Sequence, residues 1–499
     1  MLEQTLLDKS DISPITLYER KNFTLNHKNL SISHKISSAA KQKFKDKYKY
    51  QIAILAGLTI SLTMMSRDCA PFFIELQLFL ENNPNNELLV QVYFISNFFF
   101  PLFVGYITDY IGYHMGLISL HFPTLVGNLL ILLSVMQIPF SLECAVVGRM
   151  LFSVGGESLQ IILFTIVVNY FRKSTLVSYG LVITLSTAFL GFGIFKIIIF
   201  LILLRNKDDL GLPLVGPAIC GVIFNGISFI FSIFLVVFEQ RWKKSKSSSQ
   251  LIHFEEFQDF NFLDTREIYP FSFWQSLKNV LTVRILTVSV MSGLVWGSLH
   301  CIVNYNSYFF GMSIKTAKSI EMGETFFSSF VYFFMTLTSF FLVGKYLDKT
   351  KQKNILMMIG CLLNSFSYVV WSELYQNYDA NSFLLNFFFI IAATTLGIGM
   401  GLFSTAAYSS IPMMINEKNL TICFGIVSSI TNLLLFALIS LTPPTIVKER
   451  NFLFGKNPYW IFCCFSIFLA IGLEVHERKI KKEQAFNKIQ NKYYCFEKK

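Results

Sequence analysis

Twelve apolar stretches, each long enough to cross ~30 Å of hydrocarbon as a helix, lie along this chain in two sets of six with one long hydrophilic segment between them. That pattern leaves little choice of fold. Inside lipid no water is at hand for the backbone, so every N–H and C=O must be bonded within a helix or a closed barrel, and runs of ~20 apolar residues select the helix. The first set covers approximately 51–79, 88–108, 114–138, 142–170, 176–203 and 213–238. The second covers about 279–303, 322–346, 354–374, 382–413, 419–442 and 457–474. The expected fold is all-α and integral to the membrane, with twelve transmembrane helices in two pseudo-repeated six-helix bundles. Its expected parts are a polar tail over 1–50, a bundle over 51–238, a linker over 239–278, a bundle over 279–474 and a basic tail over 475–499. The first tail lacks the unbroken apolar run of ~7–15 residues that a cleavable signal peptide needs, so it is expected to stay.

Composition agrees with a lipid-facing chain. Of the 499 residues 53% are hydrophobic and 15% charged, whereas a soluble domain carries roughly 25% charged residues to solvate its surface. The net charge of +11 would suit a nucleic-acid binder, but its placement points elsewhere. Lys and Arg gather in residues 1–50, over Arg241–Lys246, over Lys345–Lys353 and after Arg478, always between apolar stretches. Together with Arg172 and Lys173 they mark the connections that share a side with both tails, so the positive-inside rule expects both tails in the cytosol. Lys448-Glu449-Arg450 is basic on the opposite side. The lipid bilayer is thus the partner that the basicity serves, and no nucleic acid is expected. The nine Cys are scattered, several of them in apolar runs (Cys220, Cys301, Cys361, Cys423). No spacing matches a disulfide framework or a metal site, so core-filling thiols and no metal or cofactor are expected.

Two short motifs occupy equivalent places in the two halves. Gly105-Tyr-Ile-Thr-Asp109-Tyr-Ile-Gly112 follows span two, and Gly344-Lys-Tyr-Leu-Asp348 follows span eight. One Gly-x-x-x-Asp is a weak signal, but two in register mark an internal repeat, the plan of transporters in which two bundles rock about a central site. Gly lets helices approach closely, and Asp at a helix end can pair with a neighbouring Arg in one conformer and not in the other. Gly105, Asp109, Gly112, Gly344 and Asp348 are therefore the candidate conformational latch. Arg149 begins its span at the far end from Asp109, so the latch partner is expected among nearer cytosolic charges.

Span four contains the most informative run, Gly148-Arg149-Met-Leu-Phe-Ser-Val-Gly155-Gly156-Glu157-Ser158-Leu159. Arg149 and Glu157 are eight residues apart, which puts them on nearly one helix face with ~12 Å of rise between them. A charge at mid-membrane costs about 2.5–3.5 kcal/mol to insert, so Glu157 should face the bundle interior and bind an amine, a proton or a neighbouring cation. Gly155 and Gly156 are expected to clear a cavity wall beside it. Trp296, His300 and Asn304 share a face of span seven at four-residue spacing. With Tyr408 and Asn432 they complete the candidate substrate-binding set. His300 could titrate at acidic pH, although a hydrogen-bonded core histidine is the plainer reading.

From about 51 to 475 the chain resembles the major facilitator superfamily, whose signature after span two is Gly-x-x-x-Asp-x-x-Gly followed by basic residues; Tyr113 and His114 stand in the basic positions here, which implies a weaker first latch. The span-four run resembles one branch of it, the lysosomal dipeptide transporters. Asp68, Phe238-Glu239-Gln240-Arg241, Val343-Gly344 through Asp348-Lys349-Thr350 and the stretch from Gly425 to Asn432 add to the resemblance. It implies a uniporter carrying dipeptides out of the lysosome, with Glu157 as the acidic residue of the site. A zwitterionic ligand also needs a cation for its carboxylate. The family has an Arg in span five shortly after a Gly-Leu pair, and reading from Gly180-Leu181 the position holds Thr187. Lys196, nine residues on, lies close enough to the membrane surface to snorkel. Arg67 is a second cation, for which an ion pair with Asp68 is the simpler fate. Tyr408 stands where the family has a Trp.

The sequons Asn22-Phe-Thr, Asn29-Leu-Ser and Asn419-Leu-Thr all fall on expected cytosolic segments, so lumenal glycosylation is not expected. The resemblance implies a heavily glycosylated single-span accessory protein as partner. Glu3-Gln-Thr-Leu6-Leu7 is one residue short of an acidic dileucine signal, so lysosomal residence rests on the resemblance. The sequence has no nucleotide-binding P-loop and no recognisable catalytic constellation, so neither a pump nor an enzyme is expected. Three readings stay open: a dipeptide uniporter, a facilitator or proton-coupled carrier of another small solute such as a sugar or organic ion, and a transporter-like receptor that binds without turnover.

Overall fold

The computed structural model describes residues 48–71, 74, 88–136, 141–172, 176–205, 215–250, 272–316, 320–376, 383–415, 419–440 and 459–497. Outside them lie the tail with Leu6-Leu7, Asn22 and Asn29, the acidic loop 81–87, Lys173, the middle of the expected linker and Lys448–Arg450. The side chains of Lys196, Cys301 and Asn304 are also outside the described set.

Each apolar stretch is a helix. The first bundle has α1 (Tyr48–Pro71), α2 (Leu88–Ile111), α3 (Tyr113–Met136), α4 (Leu142–Phe171), α5 (Val177–Arg205) and α6 (Val215–Gln250). A short amphipathic α7 (Phe273–Val280) precedes the second. The second bundle has α8 (Val283–Thr316), α9 (Ile320–Thr350), α10 (Lys353–Gln376), α11 (Phe383–Met414), α12 (Leu420–Ser440) and α13 (Tyr459–Glu497). Eleven are long and apolar enough to span within their described residues, and α5 contributes the shorter apolar helix Val177–Gly191. With α5 as the twelfth, the protein is an all-α, multi-pass membrane protein of twelve transmembrane helices.

Two helices outrun their apolar segments. α6 continues through Arg241–Lys246 to Gln250, and α13 passes its last apolar turn to reach Glu497. Neither extension contains Gly or Pro after Gly472 or after Glu239. Both are rich in Lys, Glu, Gln and Arg, which cost little in a helix, so nothing stops the ladder at the end of the hydrophobic run.

The halves pack by the same plan: α3 lies on α4 as α10 lies on α11, and α2 meets α4 as α9 meets α11. Between the halves α2 packs on α12, and α5 on α9. One close crossing within each half uses a repeated glycine pair. A Cβ on Gly127 would stand 2.5 Å from the Gly148 carbonyl and 2.5 Å from the Phe152 nitrogen. One on Gly360 would stand 2.8 Å from the Gly399 carbonyl and 2.8 Å from the Phe403 nitrogen. Such backbone-to-backbone approach is how membrane helices gain packing without a hydrophobic drive between them. Gly127→Val and Gly360→Val should each lower stability by about 1–3 kcal/mol through overpacking. Gly216→Ala and Gly472→Ala, where nothing lies within 4 Å, should be neutral or stabilising by up to ~1 kcal/mol; thermal unfolding in detergent distinguishes the two classes.

Candidate functional site

Glu157 sits in the middle of α4, its side chain 19% exposed, on the wall of a cleft between α1, α2 and α4. Its Oε1 accepts a hydrogen bond from the Tyr93 hydroxyl at 2.9 Å and one from Arg67 Nη1 at 3.4 Å. Arg67 in turn forks onto Asp68, Nε to Oδ1 at 2.7 Å and Nη2 to Oδ2 at 2.9 Å. Arg149 lies over the Tyr93 ring, 4.4 Å from its centroid, and donates to the backbone carbonyl of Arg67. Two cations and two carboxylates thus join three helices, and their charges cancel. That cancellation is what makes the cluster tolerable in a medium of low dielectric. Thr63, Arg67, Tyr93, Gly156, Glu157 and Gln160 line a cleft of about 260 Å³, part of it open to solvent.

The expected site residues are brought together in part. Tyr408 packs on Phe164 at 5.0 Å between ring centroids. His300 stands edge-on to Phe94 at 5.5 Å and 6.3 Å from Trp296, which faces Phe189 at 6.2 Å. Phe94 links the His300–Trp296 pair to Tyr93, 5.5 Å from it, whereas Tyr408 joins Phe164 and Phe424. Asn432 turns away: its amide donates to the Ser428 carbonyl of its own helix at 2.8 Å. Of the two glycines expected to clear the cavity wall, Gly156 lines the cleft, while Gly155 abuts Leu120 and Thr124 of α3 and serves the α3–α4 crossing. Thr187 is no substitute for a span-five cation. Its hydroxyl donates to Ile183 at 2.8 Å, and its Cβ would stand 2.6 Å from a Cβ on Gly57, so the position is sealed against α1. Tyr93 and Gln160 escaped the sequence reading: a tyrosine in an apolar span carries no signal, but Gln160, one turn after Glu157, was a polar residue on a polar face.

The latch motifs meet partners that the sequence did not suggest. Asp348 accepts the backbone N–H groups of Ser178 and Tyr179, both at 2.9 Å, in the first turn of α5. Asp109 accepts the N–H of Ile422 at 3.2 Å in the first turn of α12. Neither contact is with the Arg or other side-chain charge that was expected. The partner is the N-terminus of a helix in the opposite bundle, where unbonded N–H groups and the helix dipole favour a carboxylate. The glycines let these ends meet: a Cβ on Gly105 would be 2.8 Å from the Thr421 carbonyl, and one on Gly344 2.7 Å from Val182 Cγ2. Gly112 closes α2 at φ +89°, and Lys351 takes the equivalent place after α9 at φ 58°. Tyr113 and His114, expected to weaken the first latch, are engaged elsewhere. The Tyr113 hydroxyl donates to Glu239 Oε1 at 2.7 Å, and His114 Nε2 lies 2.7 Å from Oε2 of the same fully buried carboxylate. Replacing Asp348 or Asp109 with Ala should weaken closure at this end by about 0.5–2 kcal/mol each, the usual worth of a capping side chain. A cysteine at Val182, buried against Gly344, should then be labelled faster by a thiol reagent than in the parent.

No family model matches the chain. The lysosomal dipeptide transporter MFSD1 of Danio rerio is 23% identical over 412 residues, 81% of each chain. Among solved structures, the human organic anion transporter MFSD10 aligns with a TM-score of 0.58 at 11% identity, over 85% of this chain and 99% of that one. The fucose:proton symporter of E. coli aligns at 0.56 and 13%, over 85% and 98%. The xylose transporter XylE of E. coli aligns at 0.56 and 14%, over 85% and 95%. With its two six-helix halves and its paired Gly-x-x-x-Asp loops, the chain has the major facilitator fold, and its sequence resembles the lysosomal dipeptide transporter branch of that superfamily.

Proposed function

We propose that this protein is a secondary transporter that moves a small solute by alternating access, with dipeptides as substrate and uniport as its mode. The observation that carries the reading is the Glu157 carboxylate, held by Tyr93 and Arg67 in a half-buried cleft whose four charges sum to zero. A neutral cleft with separate positive and negative groups suits a ligand that carries both charges. Glu157 takes the substrate ammonium, Tyr93 keeps the carboxylate aimed, and the rings of Trp296, His300 and Tyr408 cover the apolar part. The bundles close at the Asp109 and Asp348 end and admit solute from the other. Rocking then exchanges which end is open. Likeness to a lysosomal relative supports residence in that membrane with both tails cytosolic, together with a glycosylated single-span accessory protein that shields the lumenal face.

A sugar is the second reading, favoured by the two sugar-transporting structural neighbours. It has no charge to exchange for the Arg67–Glu157 contact, so the site is better matched to a zwitterion. Counterflow into preloaded liposomes separates the readings. Exchange of labelled dipeptide without a proton gradient supports the uniporter, exchange of sugars or organic ions alone supports a different carrier, and binding without exchange supports a receptor. Glu157→Gln should reduce dipeptide exchange at least tenfold; transport at the parental rate would show that Glu157 is not the amine site.

A further inference from the structure

We propose that Arg67 of α1 is the receptor for the substrate's carboxylate, Thr187 standing where the resemblance implies a span-five Arg, an inference that rests on the dipeptide reading. Among the described residues, Arg67 is the cation on the cleft wall. Arg149 is not a competitor: it is buried beneath the cleft, stacked on Tyr93, with a guanidinium N–H committed to the Arg67 carbonyl. Arg172 donates to the Ile415 carbonyl at the latch end of α4. Thr187 is packed against Gly57.

The contacts of Arg67 differ in strength in the way a ligand site requires. Its fork on Asp68 is short, at 2.7 and 2.9 Å, and holds the guanidinium on the wall. Its contact with Glu157 is 3.4 Å, beyond the ~2.7–3.2 Å of a well-formed N–H···O bond. That long contact is the one to open. When it does, Tyr93 still donates to Glu157 at 2.9 Å, so the carboxylate keeps its place. A ligand bearing both an ammonium and a carboxylate then replaces one long internal contact with two charge-assisted bonds, its ammonium on Glu157 and its carboxylate on Nη1 of Arg67. The empty protein thus holds its two recognition groups against each other. Because Asp68 already neutralises most of Arg67, a lone anion gains little there, and a ligand with both charges is selected over one with either.

The test compares a free dipeptide with its C-terminal amide and its N-acetyl derivative, by ligand-induced thermal shift of the purified full chain and by counterflow. The parent should prefer the free acid over the amide at least tenfold. In Arg67→Gln that preference should collapse to about unity while the preference for a free amine over the N-acetyl form remains. Lys196→Gln, the rival cation from the sequence, should keep the parental preference, and this variant reads out even if the Arg67 change impairs folding. Arg67→Gln that folds and still favours the acid as the parent does, or Lys196→Gln that loses the preference, overturns the assignment and leaves the dipeptide reading standing. Failure of the parent to bind any dipeptide overturns both.

Discussion

Within hydrocarbon the backbone must satisfy its own hydrogen bonds, and every other feature of this protein follows from where it can and cannot do so. Helices satisfy all but the first four N–H and last four C=O groups of each segment. Unspent bonding capacity is therefore concentrated at helix ends, and there the two halves recognise each other. Asp348 supplies acceptors to the first turn of α5, and Asp109 does the same for α12. Each bundle gives one carboxylate and receives one. Such caps are worth only about 0.5–2 kcal/mol, which would suit contacts that break and re-form in the proposed alternating access.

The same scarcity of solvation governs the charges. Arg67, Asp68, Arg149 and Glu157 form a neutral cluster that ties α1 and α4 around Tyr93 of α2. At the latch end of the same bundle Glu239 is fully buried and is held by Tyr113 and His114 of α3. In both halves many buried hydroxyls return to their own helices, as Thr59, Thr165, Ser289 and Thr336 do. The four charges of the cluster belong to the first half, and the second half brings His300, Tyr408 and Trp296 against first-half rings.

What the sequence disclosed and what it hid divide along physical lines. Spans were legible because hydropathy measures transfer into lipid, and Glu157 was legible because a carboxylate in such a run is costly. The ends of α6 and α13 were not, since the apolar pattern marks the membrane and not the helix. The latch loops could be found from their repeat, but their partners are backbone N–H groups, which any residue supplies. Gly155 and Gly156 are adjacent in sequence yet a step of ~100° apart around the helix axis, so one serves a helix crossing and the other a cleft. The glycine repeat of the helix crossings was hidden because Gly127 and Gly148 belong to different spans, and only their spatial approach relates them to Gly360 and Gly399.

The distribution of groups between the halves bears on how transport by rocking would work. Arg67, Asp68, Tyr93, Arg149 and Glu157 all belong to the first bundle, so a rigid rotation of one bundle against the other leaves their mutual contacts unchanged. Beside the cluster, ring contacts cross between the bundles: Phe94 with His300, Phe164 with Tyr408, and Phe189 with Trp296 and Phe340. A zwitterion held by the ionic cluster would keep its charged partners throughout the cycle while the rings of the second bundle slide from one side of it to the other. Away from the two aspartate caps, no charge would have to be desolvated anew at the moving interface, and ring-on-ring contacts can shift without breaking a directional bond. The barrier to alternation would then be set by the two aspartate caps and the packing of these rings, and the selectivity by a cluster that does not move.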